Sequence, residues 1–188
     1  MHEPTSEPPL WEVVESEMLQ DCAVFRVRRD HARSPRTGQV HPVYGIEADG
    51  WVNVVPVTRA GEVVMVRQYR HGTRELTLEI PGGIIDPGET PHVAAEREML
   101  EETGFGGGRL TPLGSVNPNP ALFANRVHTF VAEGVEPRQA IQHTGTEETA
   151  VVLLPGNAVR DAIESGQIDH ALVVVALCRW LLQTEGNS

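Results

Sequence analysis

Between Gly82 and Phe105 the sequence dictates its local structure more tightly than anywhere else in the chain. Residues 76–80 have strand character and run into Pro81-Gly82-Gly83, where glycine permits backbone conformations closed to other residues. Thr90 is a natural N-cap, Pro91 suits the first helical position, and Gly104 suits the position just past a helix end. These signals predict a helix over 91–103, entered from a tight loop. Within it Glu98, Glu101 and Glu102 are related by three and four positions and project from one face. Like charges at that spacing oppose each other by about 0.2–0.5 kcal/mol per pair. They also sit in the half of the helix where the dipole disfavours negative charge, so a compensating positive charge is expected. Arg97 supplies one, but one guanidinium cannot neutralise three carboxylates. A hard divalent cation can. Magnesium takes carboxylate, carbonyl and water oxygens and binds together with substrate phosphates, and the Gly82-Gly83 backbone offers an unobstructed carbonyl. The plainer alternative is a solvated, Glu-rich helix face; the glycine loop and the caps argue against it.

The rest of the chain reads as an α+β plan without internal repeats. Residues 1–10 are polar and Pro-rich, and no role is assigned to them. Alternating apolar residues over 11–27 and a β-rich stretch over 40–48, separated by the turn-prone Ser34-Pro35-Arg36-Thr37-Gly38, suggest strands of an N-terminal extension. Residues 51–58 and 62–69 form two strong strands joined by Arg59-Ala60-Gly61. Further strands are expected over 110–116, 126–132 and 149–154, and a short helix over 157–165. Residues 169–183 are too long a run for a strand and are read as a helix despite Val173-Val174-Val175.

Composition excludes several classes of function. With 15 Lys+Arg against 26 Asp+Glu, the net charge of −11 disfavours broad binding to nucleic acid, which depends on many cationic contacts to phosphate. A local exception, Arg67, Arg70, His71 and Arg74, suits a small anionic substrate. The absence of a long apolar run and of a basic-then-apolar leader predicts a soluble, cytoplasmic protein with no membrane partner. Cys22 and Cys178 fit no metal or disulfide spacing and are read as core thiols.

The segment Gly83, five residues, Glu89, seven residues, then Arg97-Glu98-Met99-Leu100-Glu101-Glu102-Thr103-Gly104-Phe105 resembles the Nudix box at every fixed position. The resemblance implies a Nudix α/β/α sandwich with a mixed central sheet and an N-terminal β extension. Residues 1–48 would be the tail and extension, and 49–188 the hydrolase domain. It also implies magnesium-dependent cleavage of a diphosphate, with manganese as a substitute. By carry-over Glu98 and Glu102 are the principal metal ligands, Glu101 is a further ligand or water-orienting group, and Gly82 gives a backbone carbonyl. Glu89 and Arg97 would hold the loop against the helix.

Outside the box, Gly50-Trp51-Val52-Asn53-Val54, Val66-Arg67-Gln68-Tyr69-Arg70-His71-Gly72, Leu78-Glu79-Ile80-Pro81-Gly82-Gly83 and Pro120 are similar to ADP-ribose pyrophosphatases and related nucleoside diphosphate sugar hydrolases. That resemblance implies hydrolysis of ADP-ribose or a related compound to a nucleoside monophosphate and a sugar phosphate, by a homodimer. Arg70 then binds the diphosphate, for which a planar, permanently charged fork is suited. Arg67 is the lesser candidate, since it falls on the opposite strand face, where a subunit interface is its alternative. Trp51 is a candidate for stacking on the base or for the core, and Glu79 for a contact to substrate or the metal shell, with an ion pair to a nearby arginine as its structural alternative. The base that activates water is sought in a late loop, at Glu147 in preference to Glu148, with Glu101 and Glu102 also in the catalytic set. His128 reads as an ordinary strand histidine. The rival readings are a Nudix hydrolase of another nucleotide, such as a dinucleoside polyphosphate or damaged nucleoside triphosphate, and a non-catalytic nucleotide-sugar sensor.

Overall fold

A computed structural model of the chain describes residues 7–142 and 148–186. In chain order the strands are β1 (Glu12–Asp21), β2 (Arg26–Arg33), β3 (Val40–Glu47), β4 (Trp51–Thr58), β5 (Glu62–Arg70), β6 (Glu75–Glu79) and β7 (Gly82–Ile84). Helix α1 (Pro91–Thr103) precedes β8 (Phe105–Gly106), β9 (Arg109–Val116), β10 (Val127–Pro137) and β11 (Thr149–Pro155). A 3-10 turn at Gly156–Ala158 leads into α2 (Val159–Glu164), and α3 (Ala171–Gly186) follows. The chain divides into two compact units, Met1–Asp49 with Asn119–Asn125, and Gly50–Pro118 with Arg126–Ser188.

The smaller unit is built on an antiparallel sheet in the order β1-β2-β3. The alternation expected over 11–27 is interrupted by a turn, where Cys22 N–H donates to the Phe25 carbonyl at 2.9 Å and Ala23 takes φ 64°. Strand β2 lies in a stretch with no apolar alternation. Charge pairing with β1 takes its place, through Glu12–Arg33 at 3.1 Å and Glu17–Arg29, with His31 Nδ1 3.6 Å from Glu15. Both cysteines are exposed, contrary to the core reading: Cys22 sits in the turn, and Cys178 lies off the buried stripe of α3.

The larger unit has a mixed sheet, path β11-β5-β4-β10-β8, with β6 on β5, β7 on β4 and β9 on β10. Among the described strands of this sheet only β10 and β4 pair in parallel; their ladder runs from Val127 opposite Trp51. Side chains alternate across this sheet and build two cores. Val52, Val54 and Val64 face α1 through Ala94, Ala95 and Met99. Val55, Val63 and Met65 face α2 and α3 through Val159, Ala162, Val173, Ala176, Leu177 and Trp180. Helices on both faces of a mixed sheet are the α/β/α sandwich the sequence implied. In α3 the buried residues Val173, Ala176, Leu177 and Trp180 fall at helical spacing, and burial of that stripe outweighs the weak helix propensity of three consecutive valines.

The sheet opens where the site is built. Strands β4 and β5 pair only at Val57 and Val63, beside their hairpin. Beyond it they diverge, and the continuous segment β6–β7 fills the gap, with Glu79 opposite Val66 in β5 and Gly82 opposite Asn53 in β4. The Pro81 carbonyl, between the two strands, accepts from Val54 N–H at 2.9 Å. A Cβ on Gly82 would lie 2.3 Å from the Val52 carbonyl oxygen, so only glycine fits this close backbone approach.

Candidate active site

Helix α1 is fixed at both ends as its sequence predicts. Thr90 Oγ1 accepts from Val93 N–H at 3.3 Å, Pro91 follows, and Gly104 adopts φ 72° with its N–H on the Leu100 carbonyl. The buried face of α1 packs on β4, and its glutamate-bearing flank lies beside β7. Glu98 is seated on Gly83, where an added Cβ would come within 2.4 Å of its Oε1. Glu102, 7% exposed, accepts the Gly82 N–H on Oε2 at 2.9 Å. Two glycines that the sequence suggested as a tight loop, and that the structure pairs with β4 as strand β7, therefore carry the carboxylates at helix positions 98 and 102.

Arg97 ties this arrangement together. Its Nε and Nη2 meet the two carboxylate oxygens of Glu89 at 3.0 and 2.9 Å, and Nη2 also donates to the Ile84 carbonyl at 3.0 Å. Its Nη1 donates to Glu98 at 2.8 Å and Glu101 at 3.3 Å. The bond to Glu89, followed by that to Glu98, holds the guanidinium pKa well above its ordinary value against the opposing effect of burial. Glu89 is held below the usual carboxylate range, first by Arg97, and it also accepts from Asp86 N–H at 3.2 Å. Loop and helix are thus clamped by one side chain.

Among the described residues no three His, Cys, Asp or Glu side chains are gathered as a metal ion requires. Glu98 and Glu101 point to Arg97, and Glu102 to the Gly82 amide. The donor set still has the chemistry of a hard-cation site: three carboxylates on one helical flank, two of them cradled by glycine backbone. A divalent cation fits that set.

A second cluster lies on β5 and β6. Arg70 grips Glu79 with Nε on Oε1 at 2.7 Å and Nη2 on Oε2 at 2.6 Å. Thr77 Oγ1 donates to Oε1 at 2.7 Å, and His170 Nδ1 lies 2.7 Å from Oε2. Burial pushes the Glu79 pKa up, but the bonds from Arg70, His170 and Thr77 outweigh it and hold the carboxyl far below the usual range. The two residues expected to contact substrate separately are bonded to each other, the ion-pair alternative for Glu79. His170 was not singled out from the sequence; its only signal there is its place at the start of the 169–183 helix.

The other candidates are distributed around these clusters. Arg67 is exposed, on the opposite face of β5 from buried Gln68. Trp51 is half-buried at the start of β4, opposite Ile84. His128 is a strand residue of β10 between Val52 and Ser115. Pro120 is exposed and belongs to the smaller unit. Glu147 lies outside the described residues, and Glu148 is exposed just before β11. The chain on either side of residues 143–147 is tied to α1: Gln142 N–H donates to the Glu101 carbonyl at 3.0 Å, and Thr149 Oγ1 to the Glu102 carbonyl at 2.8 Å. Gln142 and Thr149 were not anticipated, since their partners are helix-end carbonyls that carry no sequence signal.

Comparison with known proteins agrees with this layout. The NUDIX domain model matches residues 51–173, well over half of the 188-residue chain. The chain is 34% identical over 126 residues to an ADP-ribose pyrophosphatase of Mycobacterium tuberculosis, covering 66% of this chain and 60% of that protein's length. It is 32% identical over 126 residues to the ADP compounds hydrolase NudE of Escherichia coli, covering 67% of each. A crystal structure of an ADP compounds hydrolase superposes with a TM-score of 0.86 at 24% identity, over 98% of this chain and 99% of that one, a likeness of fold. With its glycine-cradled glutamates, its Arg97 clamp and these relatives, the chain belongs to the Nudix family.

Proposed function

We propose that the protein hydrolyses the diphosphate of ADP-ribose or a related nucleoside diphosphate sugar, giving a nucleoside monophosphate and a sugar phosphate. The observation that carries this reading is the seating of Glu98 on Gly83 and of Glu102 on the Gly82 amide. The names of the relatives, an ADP-ribose pyrophosphatase and an ADP compounds hydrolase, support the substrate class. Glu98, Glu101 and Glu102, with the Gly82 carbonyl, would hold magnesium, or manganese in its place. When bound, such an ion neutralises charge on the diphosphate oxygens and makes the attacking water more acidic. Arg70 binds the diphosphate through a guanidinium whose plane is set by Glu79. Trp51 flanks the nucleobase, and Arg67, three residues before Arg70 on the opposite face of β5, is the lesser candidate for a substrate contact. Glu147, or Glu148 beside it, accepts the proton of the water as its oxygen bonds to phosphorus. The bond from that phosphorus to the bridging oxygen breaks, so ADP-ribose leaves as AMP and ribose 5-phosphate.

Incubation of purified protein with magnesium and a panel of ADP-ribose, GDP-mannose, a dinucleoside polyphosphate and a damaged nucleoside triphosphate tests this reading by product chromatography. AMP and ribose 5-phosphate are expected, and a chelator is expected to stop their formation. Turnover of only the last two compounds would transfer the assignment to another Nudix substrate class, and no turnover of any would favour the sensor.

We further propose that residues 1–48 serve a homodimer. Among the described residues no helix is long and apolar enough to cross a membrane, yet the β1–β3 sheet exposes Val13, Val14, Met18, Leu19, Val43 and Tyr44. Val13, Met18 and Val43 share one face by register, and exposed apolar side chains gathered in this way mark an association surface. Met18→Glu combined with Val43→Glu is expected to halve the mass measured by light scattering after gel filtration. An unchanged mass would place any dimer contact elsewhere.

A further inference from the structure

Glu79 has the least exposed carboxylate among the described residues, and each of its oxygens takes two donors. Oε1 accepts from Arg70 Nε and Thr77 Oγ1, both at 2.7 Å; Oε2 is met by Arg70 Nη2 at 2.6 Å and His170 Nδ1 at 2.7 Å. An ionised carboxylate only accepts, so the His170 proton lies on Nδ1, and that bond fixes the tautomer of the ring. Three of these four bonds come from β5 and β6, which are neighbours in the sheet. The fourth reaches across 91 residues of sequence, from the residue just before α3.

The position of His170 is itself held. The α3 residues Val173 and Leu177 pack in the core with Val55, and Asn53 Nδ2 donates to the Leu172 carbonyl at 3.3 Å. Asn53 is also the β4 residue opposite Gly82. The start of α3 and the β7 glycine that carries Glu102 are therefore referenced to one strand position. A histidine placed there, half-exposed, with its Nδ1 on a buried carboxylate, contributes little to packing. Its effect falls on Glu79 and, through Glu79, on Arg70.

We infer that His170 is a positioning residue for substrate: by donating to Oε2 it locks the Glu79 carboxylate, on which the Nε and Nη2 edge of Arg70 docks, and so aims the guanidinium at the diphosphate. This rests on the proposed role of Arg70 in binding diphosphate. Without His170, Oε2 keeps one donor, the carboxylate can rotate, and Arg70 samples orientations in which its remaining N–H groups miss the phosphate oxygens. Preorganised donors lose little entropy on binding, so the loss is read chiefly in KM.

The test is a double-mutant cycle with kcat and KM measured for ADP-ribose on H170A, R70A and H170A/R70A, together with H170Q, whose amide N–H can still reach a carboxylate. H170A is expected to lower kcat/KM by about tenfold in the wild-type background and by less than about twofold in R70A, as coupled side chains do. H170Q is expected to recover activity to within about threefold of wild type. In parallel, the 15N heteronuclear NOE of the Arg70 Nε–H is expected to fall in H170A and return in H170Q, a readout that needs no turnover. An equal penalty in both backgrounds, or an unchanged Arg70 NOE, would overturn the inference. A lowered NOE in a protein that turns over none of the nucleotide sugars would support the anchoring of Arg70 and count against the proposed substrate alone.

Discussion

Glu102→Gln is expected to lower kcat for ADP-ribose by about 10³ or more, some 4 kcal/mol of transition-state stabilisation, while the protein stays folded. Glutamine has the shape of glutamate and retains an oxygen that can accept the Gly82 N–H, the bond made at 2.9 Å by Oε2. Packing around this 7%-exposed side chain is therefore preserved. What disappears is one negative charge and one strong oxygen donor at the point where α1 meets β7, and a hard cation depends on both. The melting temperature is expected to stay within about 4 °C of wild type, the shift for roughly 1 kcal/mol in a chain of this size. Glu96→Gln on the same helix provides the control. Its side chain is 59% exposed and its ion-pair partner by distance is only the exposed His92 imidazole at 3.9 Å, so turnover should not change. Near-normal turnover by Glu102→Gln would sink the placement of the chemistry on this face of α1.

The box was legible because its determinants are local. Thr90, Pro91 and Gly104 mark the ends of α1 in the sequence, and each does so in the structure through a bond or backbone angle internal to that segment. Helix α3 was legible for a similar reason, since burial at Val173, Ala176, Leu177 and Trp180 repeats at helical spacing. The features that were not legible depend on partners distant in sequence. Strand β2 lacks alternation, and its Arg29 and Arg33 are satisfied by Glu17 and Glu12 of another strand. The splaying of β4 from β5, with β6–β7 between them, follows from pairings that no local pattern encodes. Glu79 showed the limit most clearly: an arginine partner was foreseeable from the neighbouring strand, whereas His170 came from the far side of the sheet. The cysteines misled because residue type gives only an average tendency to burial, and a turn and an outer helix flank put these two at the surface.

Arg97→Lys is expected to cost about 2–4 kcal/mol of stability, or roughly 5–15 °C in melting temperature, and to lower kcat/KM by about a hundredfold. Lysine keeps the positive charge, so the comparison isolates what the planar fork does. In the native protein that fork spans both oxygens of Glu89, the Ile84 carbonyl, Glu98 and Glu101. An ammonium group carries three donors on a flexible stem and cannot reach all of these at once. The acceptor it abandons matters. If the ammonium stays with Glu98, then Glu89, whose side chain is 13% exposed, loses its bidentate partner and the 84–89 loop comes away from the helix. If it stays with Glu89, then Glu98, 12% exposed against Gly83, loses its arginine partner beside Glu101 and Glu102. Magnesium opposes the second outcome and cannot repair the first, so the salt used in the measurement separates them. A melting temperature restored by saturating magnesium would assign the loss to charge at Glu98. A deficit that persists in magnesium would assign it to the Glu89 tether. Wild-type stability and activity in Arg97→Lys would show that charge alone closes the loop on α1 and that the fork geometry is incidental.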